Sequence, residues 1–168
     1  MKKYFILLLV IGSFTFVNAQ NSDHKLTDDF INFFVGNWYG EGEFSSGKKI
    51  SANLTFKMTL NNNWLSYEHT DLPPNKYKAL SYWGIDRSTG EFVAYSVNNL
   101  QGHKRFSSNG WVDGKLILSA DRYFPGQGLV FEHFIYEKKS EKSFKMTYEM
   151  SKDGMDWKMI DYLVFNKQ

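Results

Sequence analysis

The sequence contains no cysteine and only three prolines in 168 residues. Without cysteine there is neither a disulfide to staple the fold nor a lipobox thiol for lipid attachment, so core packing alone must hold the chain together. The prolines, Pro73, Pro74 and Pro125, sit in two turn-like clusters and leave the rest of the chain free to pair. A long apolar span is also missing. The run from Tyr4 to Val17 falls short of the roughly 20 residues a transmembrane helix needs, and nothing later approaches it.

An excess of charge of either sign is absent as well. Lys2 and Lys3 lie within the first segment, and without them the basic and acidic residues balance. Lysine and glutamate interleave, as in Glu137-Lys138-Lys139-Ser140-Glu141-Lys142, where a nucleic-acid binder would carry a clustered basic patch. No nucleophile elbow, phosphate loop, metalloprotease helix or calcium loop occurs. The four histidines, His24, His69, His103 and His133, show no spacing that would give zinc three or four ligands, so no metal is expected.

The first residues have a three-part layout: Met1-Lys2-Lys3, the apolar run, then Asn18-Ala19-Gln20 with small or β-branched residues at the minus-three and minus-one positions. This is the pattern of a secretory signal peptide, so residues 1–19 are expected to be removed and residues 20–168 to fold as one domain in the periplasm or outside the cell. A domain of that length can bury on the order of 70% of its unfolded surface. Aromatic residues make up 18% of the chain and favour pleated strands, which points to an all-β protein.

One helix is expected, from about Asp28 to Val35, with Thr27 as N-cap and Gly36 as terminator. It is short and very apolar, so it should plug one end of whatever follows. Beyond Gly36 the pattern changes to a period of two. Ile50, Ala52, Leu54, Phe56, Met58 and Leu60 alternate with polar residues, and so do Phe144, Met146, Tyr148 and Met150. Turn signals recur every ~8 to 15 residues, which gives about ten strands with short connections. A meander of that size leaves two raw edges unless it closes, so a closed antiparallel β-barrel is expected.

The stretch Phe33-Phe34-Val35-Gly36-Asn37-Trp38-Tyr39-Gly40-Glu41-Gly42, a short helix running into Gly-x-Trp, resembles the opening of lipocalins, fatty-acid-binding proteins and nitrobindin-like haem barrels. Tyr82-Trp83-Gly84-Ile85-Asp86 with Thr89-Gly90-Glu91-Phe92, Gly110-Trp111, and Ser151 to Trp157 extend the likeness to a lipocalin-like family of secreted bacterial proteins of unknown function. The resemblance implies that Trp38 packs across the closed end behind Gly36 and that a basic residue of the last strand, Lys167, covers it. Nitrobindin-like proteins hold haem through a histidine near the C-terminus. Here no histidine follows His133, so no cofactor is expected.

Strand parity places His69 with Leu65 and Tyr67, and His133 with Leu129, Phe131 and Ile135, so both can face the interior, with Glu68 and Glu132 turned away. Arg105 beside Phe106 and Arg122 beside Tyr123 offer guanidinium groups for a ligand carboxylate. Tyr67, His69, Trp83, Arg105, Tyr123, His133 and Tyr148 are therefore the candidate ligand contacts, against the plainer alternative that they are ordinary wall or strand-end residues. The reading that follows is a barrel binding a small apolar or amphipathic molecule. Two alternatives stay open: isomerase or lyase chemistry in the cavity using Tyr67, Arg105 and Glu132, and a filled barrel acting through its outer face.

Overall fold

A computed structural model describes residues 24–126 and 128–168; the expected signal segment lies outside these residues. The first element, α1 (Asp28–Phe34), starts where the Thr27 hydroxyl oxygen accepts from the Phe30 N–H and stops where the Val35 N–H closes the last turn on the Ile31 carbonyl. Its buried residues are Phe30, Phe33 and Phe34. Phe34 is fully buried, with its ring among those of Phe56, Trp83, Trp111 and Phe144 at 5.0 to 5.8 Å.

Eleven strands follow: β1 (Gly36–Phe44), β2 (Lys49–Thr59), β3 (Trp64–Asp71), β4 (Lys78–Ile85), β5 (Phe92–Asn98), β6 (His103–Ser108), β7 (Trp111–Val112), β8 (Lys115–Phe124), β9 (Gly128–Ser140), β10 (Ser143–Ser151) and β11 (Lys158–Lys167). Every pairing is antiparallel, and the sheet runs β6-β5-β4-β3-β2-β1-β11-β10-β9-β8 before β6 and β8 meet through Ser107 and Ser119. The result is a closed ten-strand antiparallel β-barrel, with β7 an extra two-residue strand on β8. The β6–β8 junction consists of that one residue pair, whereas β1 and β11 pair over seven positions.

Burial follows the alternation. On β2, Ile50, Ala52, Leu54 and Phe56 are buried, and the residues between them are not. Leu60 departs from the expected series and is 64% exposed. The chain leaves β2 after Thr59 through Leu60, Asn61 and Asn62, all with φ between 49° and 60°, and this left-handed turn carries Leu60 outward.

β1 and β11 approach unusually closely. A Cβ on Gly42 would overlap the Tyr162 carbonyl, and one on Gly40 would enter the buried Phe165 ring. Only glycine admits such contact between neighbouring backbones.

Because neighbouring strands alternate in direction, the two ends of the barrel are built from different loops. One end carries α1 and the β10–β11 ends near Lys142 and Lys167. The other carries the turns after β1, β3, β5, β8 and β10.

Candidate functional site

Toward the end opposite α1, the interior holds a cavity of about 350 Å³. Its walls are largely aromatic: Tyr67 stacks on Trp83 at 5.4 Å, and Phe134 stacks on Tyr148 at 4.6 Å. Three polar groupings interrupt them.

The first lies along β3. Tyr67, His69 and Asp71 are spaced two apart, so strand pleating turns all three inward, and each is at least 93% buried. The Asp71 carboxylate accepts from His69 Nε2–H at 2.7 Å, which fixes the imidazole tautomer. Nδ1 then accepts the Tyr67 hydroxyl at 2.9 Å. Burial, then the neighbouring Tyr136, pushes the Tyr67 phenol well above its ordinary pKa, so it stays a donor.

The second joins three strands. Glu132 of β9, 1% exposed, accepts from the Tyr148 hydroxyl of β10 at 3.0 Å and pairs through its other oxygen with the Lys104 ammonium of β6. Burial and then the Glu132 charge raise the Tyr148 phenol. A carboxylate this deep is tolerated because one oxygen accepts the Tyr148 hydrogen bond and the other lies against the Lys104 charge.

The third is a single residue. Asp161 of β11 faces Phe44 across one ladder and Tyr148 across the other, and it lines the cavity. Among the described residues no hydrogen bond or ion pair meets its carboxylate. Burial first, then Asp71, raises its pKa from 3.8 to about 6.

Of the seven candidate contacts, Tyr67, His69, Trp83 and Tyr148 line this cavity. Arg105, Tyr123 and His133 do not. Arg105 stands on the outer face of β6 and pairs with Glu91 at 2.6 Å, because its neighbours Lys104 and Phe106 take the inward positions. Tyr123 is 70% exposed near the end of β8, with Arg122 beside it lying over the Phe124 ring at 4.7 Å. His133 corrects the expected parity of β9, where Val130, Glu132 and Tyr136 are the buried residues. The β10–β11 loop covers the other face of β9. Trp157 stacks on His133 at 3.5 Å, Gly154 lies against Phe131, and His133 Nδ1–H donates to Glu149 at 3.0 Å.

Gly36, Trp38 and Lys167 meet at the helix end. The 1%-exposed Trp38 donates its indole N–H to the Phe34 carbonyl at 2.8 Å. The Lys167 ammonium lies 5.3 Å from the indole centre and donates to the Asn32 and Phe33 carbonyls, the C-terminal acceptors of α1. Gly36 has φ +133°, and a Cβ there would strike the Lys167 side chain.

Lys104, Asp71 and Asp161 were missed as site residues. Two had a signal: Asp71 continues the series Tyr67, His69, and Asp161 precedes the buried Leu163 and Phe165 at spacing two.

No family model and no curated protein matches the sequence. Among solved structures, the chain is similar to Rv2717c from M. tuberculosis, with a TM-score of 0.53 and 10% identity over 85% of this chain and 99% of that one. A redesigned β-barrel aligns with a TM-score of 0.37 and 11% identity over 81% and 92% of the two chains. The first likeness supports the barrel fold and nothing finer.

Proposed function

We propose that residues 20–168, released by cleavage after Ala19, form an exported lipocalin-like barrel that binds a small apolar or amphipathic molecule in its interior. The observation that carries this reading is the cavity. Its volume of about 350 Å³ lies within the range of roughly 300–1,000 Å³ usual for small-molecule sites, and its wall combines aromatic faces with a few placed polar groups. A barrel filled by its own side chains would have no such space. In this reading α1, with Trp38 and Lys167, closes the opposite end.

Expression of residues 20–168, solvent extraction and mass spectrometry test the proposal, together with melting curves against a panel of lipids, haem and aromatic acids. The expected result is a co-purifying small molecule, or a rise in melting temperature of several degrees for at least one class. An empty barrel whose melting ignores the whole panel overturns it.

The buried Tyr67-His69-Asp71 chain favours a second reading, acid–base chemistry on the bound molecule. That reading has lost Arg105, which stands outside. It predicts that the occupant is recovered chemically converted.

A further inference from the structure

The ionisable side chains of the cavity region do not balance. Lys104 is taken by Glu132, and His69 by Asp71 and Tyr67. Asp161 is left with no counter-ion among the described residues. The groups coupled to it are Asp71 from β3, Tyr148 from β10 and Tyr77 from the β3–β4 loop, and Glu132 from β9 acts on the same two phenols. All are acids or phenols, and Lys104, the lysine that lines the cavity among the described residues, is already engaged.

We propose that the barrel's ligand is an organic amine on an aromatic or apolar body, and that Asp161 is the anchor for its ammonium group. The inference rests on the interior-binding reading above and specifies its ligand class.

Three arguments converge on a cation. A ligand carboxylate would add negative charge to a space where Asp71 and Asp161 already repel. A neutral ligand would shield Asp161 from water and leave a desolvated, unpaired carboxylate, the costliest arrangement for a buried charge. An ammonium removes that cost and gains charge-assisted hydrogen bonds.

The aromatic wall points the same way. The chain already places an ammonium beside these rings: Lys104 Nζ lies 5.8 Å from the Tyr148 centre and 6.0 Å from that of Phe106. Tyr148 is also the ladder partner of Asp161, so a ligand cation held there would sit between a carboxylate and an aromatic wall. Phe44, on the other side of Asp161, completes an aromatic flank. The volume of the cavity restricts the body to the scale of one or two fused rings or a short chain.

Three probes with one shared body test the class: naphthylmethylamine, naphthalenemethanol and naphthoic acid, titrated calorimetrically into residues 20–168. The amine is expected to bind at least about tenfold more tightly than the alcohol, with the acid weakest. Asp161→Asn should cut amine affinity about tenfold or more while leaving the alcohol within about twofold, which also serves as the control for folding. Amine binding to the unsubstituted chain should weaken between about pH 7.5 and pH 5, as Asp161 takes up a proton while the amine stays charged.

Alcohol or acid binding as tightly as the amine overturns the cation inference and leaves interior binding standing. So does an Asp161→Asn variant with undiminished amine affinity. If none of the three binds, the inference falls; if the extraction and panel above are also blank, the interior reading falls with it.

Discussion

Asp161 shows what an unmatched carboxylate costs and where that cost appears. Its pKa is about 6 in the folded chain against 3.8 as the ordinary value, so over that window the native state binds more protons than the unfolded one. Stability therefore falls as pH rises from about 4 to about 6 and levels off above, because the desolvated charge is then fully present. Asp161→Asn removes this charge. The variant is expected to be more stable than the parent by about 1–2 kcal/mol near pH 7.5, its partial exposure allowed for, and to lose that advantage near pH 4. Urea unfolding at the two pH values measures the difference. The same residue shows why the site was only partly legible. Alternation placed Tyr67 and His69 inside, but β9 carries bulky residues on both faces, with Leu129, Phe131 and Ile135 against Val130, Phe134 and Tyr136. Hydrophobicity alone could not decide between them. The deciding contacts are distant in sequence: Lys104 meets Glu132 inside, and Trp157 covers His133 outside.

Among the elements, α1 was legible almost to its ends because its cap and terminator are local signals. The turn after β2 was signalled by Asn61-Asn62-Asn63, but its start at Leu60 was not, since Leu60 continues the alternating series. Closure and the expected placement of Lys167 over Trp38 implied that the first and last strands meet, but how closely β1 and β11 approach was hidden in the sequence. Gly40 and Gly42 sit in a stretch singled out for its tryptophan, yet their missing side chains let β11 lie close. Gly42→Ala drives a methyl group into the Tyr162 carbonyl, and backbone on both sides must move. It is expected to cost about 3 kcal/mol or more, or to prevent folding. Gly40→Ala meets the buried Phe165 side chain rather than backbone, so the ring must shift within the core and a smaller loss of about 1–3 kcal/mol is expected. The order of the two denaturation midpoints checks this: equal midpoints would mean that the close approach constrains nothing.

At the scale of the whole molecule, closure makes the last strand indispensable. β11 pairs with β1 on one side and β10 on the other, and it supplies the buried Leu163 and Phe165. Deleting residues 158–168 would strip both neighbours of their ladder and expose two raw edges. The shortened chain is expected to lose cooperative unfolding and to self-associate, which light scattering and near-ultraviolet dichroism would register. A monomer with native dichroism would contradict the role given to closure. The sequence pointed to about ten strands and a meander through its turn spacing, but it could not show which join of the ring is the shortest. That join, between β6 and β8, rests on the single pair Ser107 and Ser119. Side-chain contacts reinforce it from inside, where Phe106 meets Phe134 and Lys104 meets Glu132. A ring with one weakly laced seam has a preferred direction of give. An occupant too wide for the resting space would spread β6 from β8 like an expansion joint and leave the long ladders elsewhere unstretched.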